Sequence, residues 1–380
     1  MKRQCLQRKA NFSPFWAYII GRSLVSLSVD YVYKGHNWGD MYALFKEGTI
    51  YWTDHGNSRV SKLIDEVKGM IKEDTEHVIN IRKTFDKKAE KVKSLNEELK
   101  NADYVSMSDE ELLSLRKKLV DVYEDVYIYS EPIAWLTKDI EPELKDDFDG
   151  TEEEFNELIT PKEKSFSMSE EESILRLAFR KMNGEDISNG LKEHTEKFRW
   201  IPYDYGVKTF SEEHFRDEIE KKIEKGREDI KNRLTYLESF GIEKKKGHGL
   251  FRAVREASYL MDYKKEIFTK CHLAADMLFR EIARRTGIDR KYVECIMPDE
   301  DFRNAKKEKI RDRYNYFLVK FFPDGSIERV EDAEGFVEKF LSEYNSVNVS
   351  EIKGRSAYPG NVKGVARDRK STRLNSSHYS

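Results

Sequence analysis

Residues 60–100 read VSKLIDEVKGMIKEDTEHVINIRKTFDKKAEKVKSLNEELK, and this stretch determines the fold class. Apolar side chains recur at every seventh position, namely Ile64, Ile71, Val78, Phe85, Val92 and Leu99. A second row (Val67, Ile81 and Leu95) fills alternate intermediate positions and is interrupted by Asp74 and Lys88. Seven-residue spacing places one apolar stripe along a helix, and that stripe needs a partner helix to cover it. The stretch therefore predicts one long helix over 60–100.

The partner helix is predicted immediately downstream. Ser108 and Glu111 form a capping box, which is typical of a helix start. Apolar residues then follow at alternating threes and fours: Leu112, Leu115, Leu119, Val122, Val126 and Tyr129. We therefore expect an antiparallel helical hairpin over 60–130. The short connection favours a hairpin internal to the chain, and a homo-oligomer or partner coiled coil formed through the same hairpin is the open alternative.

Composition limits the classes of function. The chain has 380 residues, of which 37% are charged and 38% hydrophobic, so two or three domains with long solvated helix faces are expected. With 68 basic and 71 acidic residues there is no global basic field, which argues against a nucleic-acid partner. The three cysteines are isolated, which favours a reducing, cytoplasmic compartment. No apolar run is long enough to span a bilayer, so no membrane partner is expected.

The rest of the chain reads as helices with one small hairpin of strands. We divide it into a helical N-terminal region, 1–150, and a second helical region, 151–345. In the first, the sequence predicts a helix near 38–47 and an extended piece at Thr49–Thr53. In the second, Ser211 begins a helix that continues to about Ser239.

A very long apolar-periodic helix follows, and a β-hairpin comes after it. The helix is predicted over 250–285, and Gly287 ends it as a glycine C-cap. Residues 314–330 alternate around Pro323-Asp324-Gly325, which predicts two short strands joined by a turn.

Two groups of residues are candidates for ligand contact. The segment FRWIPYDYG at 198–206 carries four aromatic rings, and Trp200 and Tyr203 can either stack on a planar ligand or fill a gap between helices. Arg252, Arg255 and Lys264 on the long helix can meet a phosphate or carboxylate, or form a solvated face. No histidine or carboxylate spacing indicates a metal site.

The stretch 352–367 reads IKGRSAYPGNVKGVAR and has the glycine spacing of a strand–turn–strand segment. It resembles the opening of the swivelling phosphohistidine domain of the phosphoenolpyruvate-utilising enzymes, which include phosphoenolpyruvate synthase, pyruvate phosphate dikinase and rifampicin phosphotransferase. The matching positions are Gly354, Ala357, Pro359, Gly360, Val362, Gly364 and Arg367. Tyr358 and Ala366 depart from the pattern, which usually has Ser and Val there.

The resemblance implies a phosphotransferase that moves phosphoryl through a histidine to an acceptor. It also implies Mg²⁺ and either ATP or phosphoenolpyruvate for the full-length form, with no cofactor expected in this fragment. The family's histidine lies in a motif like G-G-x-x-S-H-x-A, which this sequence lacks, so no catalytic residue is assigned. Weaker similarity to the helical region that precedes the swivelling domain covers 278–288 and the MPDE run at 297–300. The acceptor is an unknown small molecule.

The last residues, 368–380, begin DRKSTRLNSSH and resemble a translated sequencing adapter. The alternative is a disordered basic tail. We therefore expect a mainly α protein with a multi-helix body, a long helical hairpin, a small β-hairpin and the truncated first strands of a β/α swivelling domain. The expected function is that of a truncated, inactive phosphotransferase-like protein, and the alternative is a non-catalytic helical scaffold that uses the coiled-coil hairpin.

Overall fold

A computed structural model describes residues 5–54, 59–130, 140–203, 208–240 and 249–345, and within them the chain is mainly helical with a small antiparallel sheet. The helices are α1 (Pro14–Arg22), α2 (Ser28–Tyr31), α3 (Arg59–Glu73), α4 (Thr75–Asn101), α5 (Asp109–Tyr127), α6 (Glu152–Ile159), α7 (Phe166–Met182), α8 (Ser188–Phe198), α9 (Glu212–Glu224), α10 (Arg227–Ser239), α11 (Leu250–Thr286), α12 (Arg290–Val293), α13 (Lys307–Asn315) and α14 (Glu334–Asn345). A π-helical turn, Ser23–Leu27, joins α1 to α2, and a 3-10 turn spans Phe302–Asn304. The strands are β1 (Cys5–Ala10), β2 (Met41–Lys46), β3 (Thr49–Asp54), β4 (Tyr316–Phe321) and β5 (Ile327–Val330). The family-like stretch 352–367 and the tail 368–380 lie outside the described residues.

Helix α4 packs along α11, and this pair is the centre of the main hydrophobic core. The seven-residue stripe supplies α4's side of the contact, with Val78, Phe85, Val92 and Leu99 all at most 2% exposed. The Phe85 ring lies edge-on to Tyr263 at 5.7 Å and to Phe268 at 6.2 Å, both on α11. The stripe is therefore covered by a helix of the same chain.

The predicted single helix over 60–100 is wrong, because the chain breaks at Asp74. Asp74 has non-helical backbone angles (φ −138°, ψ 82°), and its side chain accepts a hydrogen bond from the His77 N–H at 3.2 Å. It therefore caps α4 and separates it from α3. A short carboxylate side chain competes with the helix for backbone donors, which is why Asp favours a cap over a helix interior.

Helix α5 lies beside α4 and runs in the opposite direction. Lys88 pairs with Asp125 near the end of α5, while Glu98, further along α4, pairs with Lys118 in the middle of α5 at 2.5 Å. The Ser108–Glu111 capping box is formed: the Ser108 N–H donates to Glu111 Oε2 at 2.7 Å, and the Glu111 N–H donates to Ser108 Oγ at 3.2 Å. Apolar residues of α4, α5 and α11 belong to one cluster, so the seam is filled within the chain.

The strands form a five-stranded antiparallel sheet in the order β1-β3-β2-β4-β5. β2 and β3 are joined by a tight turn in which Glu47 and Gly48 both have positive φ (48° and 72°), the geometry that suits two-residue hairpins. β2 also pairs with β4, with Met41 opposite Phe321, so the sheet connects segments that are far apart in the sequence. β4 and β5 occupy the place of the predicted β-hairpin.

The helix predicted near 38–47 is wrong, because Met41–Lys46 is strand β2. Both faces of this strand are buried: Ala43 and Phe45 face the main core, whereas Tyr42 and Leu44 pack with α14. A strand covered on both faces shows a continuous apolar run instead of alternation, and such a run cannot be told from a buried helix by its period.

A second hydrophobic cluster lies apart from the main core. Helices α7, α8, α9 and α10 enclose a separate core that includes Leu191, Phe215 and Ile219. The helix predicted from Glu212 to Ser239 is divided there, because Gly226 takes φ 96° and starts α10 in a new direction. The main core contains residues on both sides of position 150, so the cores do not divide where the sequence placed a domain boundary.

Phe85→Ala is expected to lower the free energy of unfolding by about 3–5 kcal/mol, because it leaves a cavity between α4 and α11. Urea unfolding followed by circular dichroism measures this loss. Lys87→Ala, on the exposed side of the same helix, is the control and should stay within about 0.5 kcal/mol of the unchanged protein. If light scattering instead shows an oligomer that Phe85→Ala dissociates with no loss of stability, the seam is an intermolecular contact.

Candidate functional site

A cavity of about 810 Å³ lies between the main core and the loop that follows α8. The described part of the loop contributes Arg199, Tyr203, Lys208 and Thr209, and the main body contributes the rest of the described lining. That rest comes from the β1–α1 turn, the β2–β3 turn, the last third of α11, the start of α12 and the end of α13. The cavity is therefore built where five or more separate segments of the chain meet.

The floor of the cavity is a cluster of ion pairs on α11 and α12. Asp276 accepts hydrogen bonds from Arg290 at 2.8 Å and from Arg280 at 2.5 Å, and Arg290 also contacts Glu294 at 2.7 Å. Burial by itself would raise the pKa of Asp276, but the hydrogen bonds and charges of the two arginines outweigh it and lower that pKa. These charges compensate one another, so the floor is polar and rigid.

Arg313 closes the back of the cavity and is saturated by its partners. Its side chain is 1% exposed and donates to both oxygens of Glu300 at 2.6 and 2.7 Å, to both oxygens of Glu331, and to the Cys295 carbonyl at 3.0 Å. Every nitrogen of the guanidinium is used in this way. Arg313 therefore fixes the wall and has no donor left for a ligand.

The remaining cations of the lining have no such partners. Within the described part of the chain, Arg199 and Lys208 make no ion pair. Lys291 lies over the rings of Tyr292 and Tyr314, at 4.5 and 5.2 Å, and the negative charge of Asp289 also acts on it. A hydrogen bond with Tyr292 raises the pKa of Lys291, which keeps its ammonium charged at neutral pH. Three exposed cations that form no ion pair in the described ranges thus line one concave surface.

The described ends of the segment that follows α8 are joined by a backbone hydrogen bond. Pro202 lacks an N–H and cannot continue the helix, and the Phe210 N–H donates to the Arg199 carbonyl at 2.9 Å, which joins the two ends of the loop. Trp200 is 3% exposed, and its ring packs against Phe166 at 5.0 Å and beneath the Lys270 ammonium at 4.9 Å. Trp200 thus anchors the loop on α11.

Tyr203 is the one sequence candidate that lines the cavity. Burial, and then the negative charge of Asp276, raise its pKa well above the usual value, so its hydroxyl remains a hydrogen-bond donor. Cys295 also lines the cavity, and burial raises the pKa of its thiol, which stays protonated and is a poor nucleophile. No histidine occurs among the described lining residues. The arrangement is suited to binding an anion and offers no obvious nucleophile.

The other three sequence candidates lie outside this cavity. Arg252 pairs with Glu76 on the surface at 3.2 Å. Arg255 is 4% exposed and donates to the Leu158 carbonyl at 2.6 Å, which ties α6 to α11. Lys264 is partly buried on α11 and is not part of the lining. The structure therefore does not bring these three cations together with Tyr203.

The family-motif positions cannot be compared with this site, because Gly354, Ala357, Pro359, Gly360, Val362 and Gly364 all lie outside the described residues. Within the ranges that are described, no three His, Cys, Asp or Glu side chains are grouped as a metal site would require. In the same ranges, no helix has both the length and the apolar character needed to cross a bilayer. Comparison of the chain with protein-family models, with curated proteins and with solved structures found no match.

Sequence reasoning missed Arg199, Lys208 and Lys291. Each is an ordinary cation in a chain that is 37% charged, and nothing in its local pattern marks it. Asp289-Arg290-Lys291 directly after the glycine C-cap was the available signal, since a charged run between two helices often lies at the surface of a cleft. Only the folded chain brings that run next to the loop after α8.

Arg313→Met is expected to cost about 3 kcal/mol of stability at pH 7, the lower end of the range for a broken buried ion pair, because Glu331 keeps some contact with water. Burial alone would raise the pKa of Glu300 and of Glu331, yet the hydrogen bonds from Arg313 leave both pKa values below normal. Their contribution is present above the unfolded pKa of about 4.3 and is lost as pH falls through the folded values.

Urea unfolding between pH 7 and pH 3 tests this prediction. The unchanged protein should lose stability as the two carboxylates are protonated, whereas Arg313→Met should show a shallower loss. Arg311→Met, two residues away and exposed, is the matched control and should follow the unchanged protein. If Arg313→Met loses stability with falling pH as steeply as the unchanged protein does, then Arg313 does not lower the pKa values of Glu300 and Glu331.

Proposed function

We propose that this chain is the helical region of a phosphotransferase that resembles the phosphoenolpyruvate-utilising enzymes. In this proposal, phosphoryl moves from ATP or phosphoenolpyruvate to a small-molecule acceptor through a histidine on a swivelling domain whose opening is the stretch 352–367. The observation that carries the proposal is that this glycine-rich string directly follows the helical body, with matches at Gly354, Pro359, Gly360 and Gly364.

The chemistry of the cavity suits a region that binds the acceptor while a separate domain carries the phosphoryl group. Cations suit an anionic group, and the described lining provides Arg199, Lys208 and Lys291 for it but no imidazole that could carry phosphoryl. A mobile carrier serves two sites by moving between them, so an acceptor region needs only to bind and orient. Free thiols at Cys271 and Cys295 are compatible with the cytoplasmic location that belongs to this proposal.

The cofactors that the resemblance implies fit the described residues only in part. The cationic lining is compatible with a phosphate group of ATP or phosphoenolpyruvate. No described cluster is suited to holding Mg²⁺, and the metal would enter bound to the phosphates or be held by another region. No step of the transfer is assigned to a residue of this chain.

The second candidate, a non-catalytic scaffold that oligomerises through the hairpin, has less support. Its seam would have to be available to another chain. In the structure, Val78, Phe85 and Val92 are buried against α11 of the same chain. Oligomerisation through these residues would require the main core to open first, at the cost of the packing that holds the body together.

The chain incubated with Mg²⁺ and either radiolabelled phosphoenolpyruvate or γ-labelled ATP is expected to acquire no phosphohistidine, because it lacks a G-G-x-x-S-H segment. The measurement is acid-labile label on the protein, followed by mass spectrometry. The native reading frame past codon 367 should encode such a segment, and a protein extended through it should become labelled. Replacing the histidine of that segment by alanine in the extended protein is the control and should abolish the label.

Two results would contradict the proposal. One is label on a histidine within 1–345, which would make the described body its own carrier. The other is a native continuation without a glycine-serine-histidine segment, because the resemblance at 352–367 would then have no carrier to introduce.

A further inference from the structure

We propose that the cavity beside α12 binds a phosphate-bearing small molecule, held between Arg199 and Lys208 on one wall and Lys291 on the other. This inference rests on the contents of the cavity and is independent of whether phosphoryl transfer occurs. It names a ligand class and three binding residues that the sequence did not indicate.

The charges of the lining require an anion. Arg280, Arg290 and Arg313 are compensated by Asp276, Glu294 and the carboxylates behind the wall. The three proposed contact residues make no ion pair in the described ranges, and the charge of Asp289 acts on Lys291 from within the lining. The remaining acid of the lining, Asp289, uses one carboxylate oxygen to accept the backbone N–H of Lys291 at 3.0 Å.

A phosphate monoester matches this excess of positive charge. It carries about −1.5 to −2 at pH 7 and has three strong acceptor oxygens, which is enough for one contact to each cation. Arginine offers a planar fork that can bind two oxygens of the same phosphate, and lysine offers a point charge. The combination of one arginine and two lysines suits a phosphate that is approached from more than one side.

The size and the apolar part of the cavity exclude a bare phosphate as its full occupant. At about 810 Å³ the space falls in the range of roughly 300–1,000 Å³ that is typical of sites for organic ligands. Leu273 and Tyr314 are partly exposed and contribute apolar surface, whereas Phe12, Phe45 and Tyr203 also line the space but are at most 7% exposed. The ligand is therefore an organic molecule with a phosphate at one end and an apolar or aromatic portion at the other.

The two walls belong to differently packed parts of the protein. Arg199 and Lys208 follow α8, which belongs to the second core, whereas Lys291 lies on α12 against the main core. A bound phosphate that contacts cations of both walls would hold the walls together. Ligand binding should therefore stabilise the protein through a bridge that neither wall forms alone.

Isothermal titration calorimetry of the full chain with inorganic pyrophosphate, at fixed ionic strength, tests the proposal. Pyrophosphate supplies the phosphate chemistry without the organic portion. Lys208→Gln and Lys291→Gln should each weaken binding by about tenfold, which corresponds to one charge-assisted hydrogen bond. Lys192→Gln, an exposed lysine of α8 outside the lining, removes the same charge and should leave the affinity unchanged.

Thermal melts followed by circular dichroism show whether each variant is folded, and all three substitutions are at exposed side chains. If Lys192→Gln weakens pyrophosphate binding equally, the binding reflects general charge attraction, and the proposed site is overturned. Absence of pyrophosphate binding to the unchanged protein would also overturn it. Binding of citrate in preference to pyrophosphate would overturn the phosphate assignment. Pyrophosphate binding without any phosphoryl transfer by the extended protein would support this site and contradict the proposed function.

Discussion

The packing of α4 on α11 is the contact on which the rest of the structure depends. The two helices meet through side chains that are almost completely removed from water, with Phe85 between Tyr263 and Phe268. Helix α11 spans 37 residues, and Tyr263 and Phe268 lie in its middle part. Its last third carries Asp276 and Arg280, the floor of the cavity. The position of the floor is therefore set by apolar packing some distance away.

Buried arginines hold the segment 296–300, which connects two elements that line the cavity. Arg116 is 3% exposed and donates to the carbonyls of Ile296, Met297 and Glu300 at 2.7 Å each. Burial lowers the pKa of Arg116 to about 10, which still leaves it charged at neutral pH. Arg313 binds the Glu300 side chain from the other direction. A charge without partners would be costly at either place, and the segment supplies backbone carbonyls and a carboxylate for it.

This arrangement gives the run at 297–300 a structural role that does not depend on any family resemblance. Met297 is fully buried, and Glu300 accepts the backbone N–H of Met297 as well as two nitrogens of Arg313. The run thus closes on itself and connects α12 to α13, both of which line the cavity. A change at Glu300 would act on the cavity by moving its wall, even though the side chain does not enter the lining.

The sequence predicted those parts of the fold that repeat a local rule. The periodic stripe placed α4 and α11, and Gly287 ends α11 in the left-handed conformation expected of a glycine C-cap (φ 63°). The prediction failed where one residue overrides the period, at Asp74 and Gly226, and where both faces of a strand are buried, as in β2. Such features depend on a backbone conformation or a neighbour that periodicity does not encode.

The cavity could not be predicted from the sequence for a related reason. Its cations are distant from one another in the chain. Unpaired lysines are also common on open helix faces, where water solvates them, and Lys87 and Lys192 are two such residues. The informative property of Arg199, Lys208 and Lys291 is that they share a concave surface whose other charges are already compensated. All three side chains are exposed, so water solvates each of them, and what the fold adds is that one ligand can contact more than one of these charges. An anionic ligand then gains more from the same three side chains, and this gain depends on the fold that brings them together.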